Sequence, residues 1–344
     1  MGAYFSRLFS AAGSSGRGSG SSKRWHACRA RRGEEDAGEA VRGRAVLVTG
    51  CDPGGIGATL VGALVSDFDL VLAACLTEEG VDAATASGAV GFRMDITSDT
   101  DVALGAERVL RECERFGARL CALVNNAGVM ELGLLDWLPL DSHRRVFDVN
   151  YFGAVRVTQA LLPALKACGD GRVVFISSVA AHFGFPWFGA YSASKAALER
   201  YAEMLRVELA PWGLRTCCVR PAGVRTNMTV GPITSDAFRD SFAQCASDEL
   251  KREYGDDFPQ RSYEHNPGFA MFERDLMEPQ ALVAPVRAAL LAPASRAPTL
   301  RIVVRTLVDR FFTVLIAHGL LPGRMIEASY ADLMFHKELP ACAE

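Results

Sequence analysis

No Cys-x-x-Cys pair occurs in this 344-residue chain, and its six histidines and ten cysteines stand apart, save the adjacent Cys217 and Cys218. That scatter disfavours a metal site and a disulfide framework, and predicts reduced, buried thiols. No apolar run reaches the roughly 18 residues that a membrane-crossing helix requires. The nearest approach, Phe311 to Ala317, is too short. Excess charge is missing too: 37 Lys and Arg stand against 40 Asp and Glu, which speaks against a nucleic-acid partner.

The charge is nonetheless uneven. Residues 1–33 hold seven basic side chains and no acid, leaving 30 basic against 40 acidic residues for the rest. Residues 1–42, rich in Ser, Gly, Ala and Arg, cannot bury enough apolar surface to fold alone. Three readings fit this segment. Arg7, Arg17, Lys23 and Arg24 among serines suit a mitochondrial targeting peptide. Met1-Gly2-Ala3-Tyr4-Phe5-Ser6 suits N-myristoylation. A disordered tail with no address is the third. A mitochondrial location is the expectation, with a cytoplasmic or membrane-associated one as the alternative.

What the chain does contain is alternation. Ala45-Val46-Leu47-Val48 reads as a strand covered on both faces, and leads into Thr49-Gly50-Cys51-Asp52-Pro53-Gly54-Gly55-Ile56-Gly57 and a small-residue helical pattern. Strand, glycine-rich turn and helix in that order form a phosphate cradle. A second strand, Asp69 to Cys75, ends in Cys75-Leu76-Thr77. That ending has neither an acid for ribose hydroxyls nor an Arg for a 2′-phosphate. With Asp52, Glu78 and Glu79 nearby to repel a phosphate, NAD is expected over NADP. A third strand ends in Asp95-Ile96, where Asp95 either meets an adenine amino group or caps the helix starting near Asp99. The fourth leads to Asn125-Asn126-Ala127-Gly128. The next helix contains Asn150, which reads as tolerated surface or a local kink. Fifth, sixth and seventh strands follow at Gly171–Ser177, Leu214–Arg220 and Leu300–Val304. Such alternation predicts an α/β fold, a doubly wound parallel sheet of about seven strands.

Residues 227–280 mix aromatics and charges and read as a mobile lid, and residues 306–344 as an apolar extension, either a packed helix or a membrane or dimer contact. One single domain is expected over 43–305.

Candidate chemistry lies between Ser178 and Lys195. Tyr191 and Lys195 are four residues apart, so on a helix they share a face. An ammonium near a phenol lowers its pKa from about 10, making it usable as a base. Ser178 follows the fifth strand, where open α/β sheets place their chemistry.

With Tyr-x-x-x-Lys, Ser thirteen residues earlier, Asn-Asn-Ala-Gly and Asn150-Tyr151-Phe152-Gly153, residues 44–305 resemble the short-chain dehydrogenase/reductase family. The resemblance implies a Rossmann-type fold and a catalytic tetrad of Asn150, Ser178, Tyr191 and Lys195. It implies a cofactor site at Thr49, Gly50, Gly55, Ile56, Gly57, Asp95, Ile96, Asn125, Ala127 and Gly128, with Tyr191 and Lys195. Pro221, Gly223, Val224 and Thr226 would flank the nicotinamide. The implied reaction is hydride exchange between a secondary alcohol and NAD, in a homodimer or homotetramer with possible membrane contact. Thr49-Gly50-Cys51-Asp52 and Ala73-Ala74-Cys75-Leu76-Thr77 are similar to the retinol, 17β-hydroxysteroid and D-3-hydroxybutyrate dehydrogenase branch, whose substrates are lipid-like alcohols or a small hydroxy acid. For the latter, Arg144 or Arg225 would bind the carboxylate. NADP-dependent carbonyl reduction and a non-catalytic scaffold are the rival readings. Two departures stand out: one extra residue in the glycine turn, and Ala222 where the family has Gly.

Overall fold

Ala45-Val46-Leu47-Val48 lacks a polar position because Ala45 and Leu47 join one core while Val46 and Val48 join another. In the computed structural model, which describes residues 43–182, 186–264 and 276–303, these residues form β1 (Gly43–Thr49), inside a seven-stranded sheet. The chain continues through α1 (Ile56–Leu64), β2 (Leu70–Cys75), α2 (Glu78–Ala86), β3 (Val90–Arg93) and α3 (Asp99–Arg115). Next come β4 (Ala118–Asn125), α4 (Leu140–Phe147), α5 (Ala154–Ala167), β5 (Arg172–Ile176), α6 (Gly189–Leu209) and β6 (Arg215–Pro221). α7 (Ser235–Cys245), α8 (Asp248–Tyr254) and α9 (Phe258–Glu264) precede α10 (Val283–Leu291) and β7 (Leu300–Val303).

Strand order is β3-β2-β1-β4-β5-β6-β7, with every neighbouring pair parallel. Helices cover both faces, as expected. Val109 of α3, Leu161 of α5 and Leu198 of α6 pack on one side; Leu60 of α1 and Leu290 of α10 pack on the other. The chain runs outward from β1 to β3, then crosses back to β4 beside β1. That reversal opens a crevice at the carboxyl ends of the strands, where ligands of such sheets bind.

Three expectations change. Ser98, not Asp95, caps α3 by accepting the Asp101 N–H at 3.1 Å; Asp95 instead folds back on Thr97. Asn150 is buried, within a π-helical turn (Asp148–Gly153) between α4 and α5. The region after residue 227 is helical over α7 to α9, because Phe238, Phe242 and Phe258 bury against Trp137 and Trp187. Trp187 is 4.3 Å from Phe238 between ring centroids, and its indole N–H donates to Ser262 Oγ. The segments 1–42, 265–275 and 304–344 lie outside the described residues, and with them the targeting and C-terminal readings. Among the described residues no helix is long and apolar enough to cross a membrane.

Candidate active site

A cavity of about 660 Å³ runs along the carboxyl edge of the sheet. This lies within the ~300–1,000 Å³ usual for ligand pockets. Strand ends build its wall: Gly50, Gly55 and Ile56 after β1, Asp95 and Ile96 after β3, Ala127 and Gly128 after β4. Ser178 follows β5, Pro221 ends β6, and Gly223, Val224 and Thr226 follow it; Tyr191 and Lys195 project from α6. Thr49, Gly57, Asn125 and Asn150 stand behind that wall. Thr49 Oγ1 accepts the N–H groups of Asn126 (3.1 Å) and Ala127 (3.2 Å), and Asn126 Nδ2 donates to the carbonyls of Thr49 and Gly50, each at 2.9 Å. These bonds lock the turns after β1 and β4 together. Asn125 turns away, donating to Thr158 Oγ1 on α5 at 2.9 Å.

The longer glycine turn solves its geometry outward. Gly54 is exposed at φ +76°, a conformation that favours glycine, and its carbonyl accepts the Asn227 N–H at 3.1 Å. Asn227 Nδ2 also donates to the Pro53 carbonyl at 3.0 Å, so the extra length ties the turn to the loop after β6. Asp52 reaches the other way. It accepts the N–H groups of Leu76 and Thr77, each at 2.9 Å, and the Thr77 hydroxyl at 2.5 Å. Partial burial opposes its charge, but those bonds outweigh it and hold the carboxyl below its ordinary pKa. A carboxylate therefore does stand beside the end of β2, delivered from the turn 24 positions earlier in the chain.

Ser178 Oγ accepts the Ala180 N–H at 3.1 Å, which fixes the hydroxyl, and the Tyr191 side chain hydrogen-bonds to it. Lys195 Nζ donates to the Ile176 carbonyl at 2.9 Å and lies 5.7 Å from the Tyr191 ring centroid. Burial pushes the tyrosine pKa up, against the opposing Ser178 bond. Burial likewise lowers Lys195 to about 8, against the attraction of Glu199. Burial thus works against the expected depression of the phenol by the ammonium. Asn150 Oδ1 accepts the Val129 N–H at 2.8 Å, while Nδ2 donates to the Val129 carbonyl and Ser194 Oγ, each at 2.9 Å. It fastens the segment after Gly128 to α6. A π turn at such a point is a frequent mark of function.

Neither candidate carboxylate partner reaches the cavity. Arg144 pairs with Asp141 at 2.9 Å and Arg225 with Glu278 at 3.0 Å, and neither belongs to the wall. Among the described residues no group of three His, Cys, Asp or Glu could hold a metal ion. Sequence reasoning also missed a buried cluster of Ser177, Glu199 and Arg220 directly behind Ser178. Its available signal was Glu199, one further turn along the helix face of Tyr191 and Lys195.

Residues 44–235 match the short chain dehydrogenase family model. An uncharacterized oxidoreductase, YbbO, of Escherichia coli K12 is 32% identical over 284 residues, spanning 83% of this chain and 93% of that protein. Estradiol 17-beta-dehydrogenase 2 of Rattus norvegicus is 32% identical over 221 residues, which are 62% of this chain and 57% of that one. A solved short-chain dehydrogenase from Streptomyces avermitilis superposes with a TM-score of 0.62 at 27% identity, covering 85% of this chain and 97% of its own. One from Burkholderia cenocepacia, solved with NADP, gives 0.58 at 24% identity over 86% and 99%, a likeness of fold.

Proposed function

The chain belongs to the short-chain dehydrogenase family, and we propose that it interconverts an apolar secondary alcohol of steroid type and its ketone, with NAD as cofactor. The family's chemistry is oxidoreduction at a CH–OH group with a nicotinamide dinucleotide. One observation carries the choice of substrate class: among the described residues the cavity wall holds three charged side chains, Asp52, Asp95 and Lys195, and no arginine. A hydroxy acid would bury its carboxylate there without a guanidinium partner. Met130, Pro186, Phe188 and Met228 offer apolar contact instead. The kinship to an estradiol dehydrogenase supports the same reading.

A dinucleotide suits the residues present. Gly57 packs so closely on the Gly50 carbonyl that any side chain would push the glycine turn out of shape from behind. The glycine turn and the first N–H groups of α1 would hold the pyrophosphate, Asp95 and Ile96 the adenine, and Pro221 to Thr226 the nicotinamide side. When bound, the nicotinamide accepts or returns the hydride. In oxidation Tyr191 removes the hydroxyl proton, Ser178 hydrogen-bonds the substrate oxygen, and Lys195 holds the nicotinamide ribose. Asn150 keeps the segment after Gly128 against α6.

The test is NADH formation from estradiol, retinol and 3-hydroxybutyrate. Turnover of estradiol with none of 3-hydroxybutyrate is expected; the opposite ranking would sink the proposal. The Asp52 carboxylate beside Leu76 and Thr77 supports NAD over NADP, because a 2′-phosphate there would meet an anion, and Arg93, opposite Cys75 on β3, already faces Glu78 at 3.8 Å. Leu76 is exposed, so Leu76→Arg should supply a cation there. A gain of roughly tenfold in kcat/KM with NADP is expected, the worth of about one charge-assisted hydrogen bond. Parallel kinetics with both cofactors measure it; an unchanged NADP rate would place the 2′ position elsewhere.

A further inference from the structure

Glu199 follows Tyr191 and Lys195 at the same four-residue spacing on α6, yet it is 4% exposed where a glutamate ordinarily faces water. Its Oε1 accepts the Ser177 hydroxyl and Arg220 Nε, each at 2.6 Å. Oε2 accepts Arg220 Nη2, and His182 Nε2 stands 3.0 Å from it. The partners come from separate elements, and each adjoins the chemistry. Ser177 precedes Ser178, Arg220 precedes Pro221, and His182 closes the turn that Ser178 caps.

We propose that Glu199 is a positioning residue of this active site, aligning the ends of β5 and β6 against α6 and supplying the countercharge for Lys195. This rests on the role given to Lys195 above. The charged and titratable groups facing Glu199 are His182 from the turn after β5, Arg220 and Cys218 from β6, and Lys195 from its own helix. Those facing Lys195 are Tyr191 and Glu199, both on α6. Burial opposes the Glu199 charge, but the bonds from His182, Arg220 and Ser177 outweigh it and take the carboxyl down to about 2. It is therefore an anion throughout the working pH range. Stability alone does not account for such a pair, since neutral, well-packed replacements of buried ion pairs are often as stable. Loss of the anion removes the attraction that sustains the buried ammonium, so Lys195 should release its proton at lower pH.

The experiment compares Glu199→Gln and the doubly neutral Glu199→Gln/Arg220→Met with the parent chain. The pH dependence of Lys195 acetylation by acetic anhydride, followed by mass spectrometry, reads the lysine without any substrate. The midpoint is expected to fall by about one pH unit in Glu199→Gln, and by a smaller but resolvable amount in the double variant, which also loses the Arg220 cation. The alkaline limb of kcat/KM for estradiol with NAD should move with it, a shift that a merely structural role would not produce. Should the single variant fail to fold, because Arg220 is left unpaired, the double variant decides. An unmoved midpoint in a folded variant overturns the proposal. So does a double variant that cannot fold, which would make the pair a folding element. Tyr191→Phe separates the premises: if that variant is inactive while the Glu199 variants behave like the parent, the positioning role alone falls.

Discussion

Tyr191→Phe should lower alcohol oxidation by about a thousandfold, the scale of a lost general base, while NAD binds nearly as before. The substitution keeps the ring and removes one hydroxyl, whose partner Ser178 retains its bond from the Ala180 N–H. Turnover with estradiol and a calorimetric NAD titration on the same preparation measure both halves. Undiminished turnover would remove Tyr191 from the chemistry; lost NAD binding would make its role structural. Because burial raises the phenol pKa, oxidation, which requires the phenolate, should climb as pH rises through the neutral range. Ketone reduction, which uses the protonated phenol, should not.

Gly57→Ala should damage both the fold and the cofactor site. The added methyl would fall on the Gly50 carbonyl and 2.7 Å from Asn126 Nδ2. Overpacking of this kind costs about 1–3 kcal/mol. In a domain of this size that is roughly 3–10 °C in Tm. Asn126 holds the turns after β1 and β4 together through the Thr49 and Gly50 carbonyls, so its displacement should also weaken NAD binding at least tenfold. Scanning calorimetry with and without NAD reads both effects. A variant with the parent Tm and the parent stabilisation by NAD would show that the turn has room that its geometry denies.

The sheet was legible because the middle stretches of its strands, such as Ala45 to Val48 and Val173 to Ile176, are apolar and buried on both faces. Tyr191 and Lys195 were legible because helical spacing alone puts them on one face. Other parts of the site depend on relations that spacing does not encode. Asp52 was legible as an acid near the end of β2, but its bonds to Leu76 and Thr77, made across a strand and a helix, were not. Of the two readings of Asn150, the local kink matches the π turn, while the surface reading fails because that turn carries the amide inward to Val129. Glu199 drew no attention in the sequence because its partner Arg220 lies on a strand 21 residues later. The lid read as irregular because its aromatic residues bury against Trp137 and Trp187, which belong to distant segments.

The strand order also governs how the molecule comes into being. β1 is made first, yet its inner neighbour is β4, so Ala45 must wait for Leu120 to leave the ribosome before that pairing can form. Parallel pairings between distant segments close slowly and leave apolar strands uncovered meanwhile. During synthesis Val46 and Val48 are an adhesive edge rather than a core, and chaperone supply should limit the yield of folded chain. The crevice that β1 and β4 share needs that distant pairing, so recovery of NAD binding on refolding should lag behind the gain of helix.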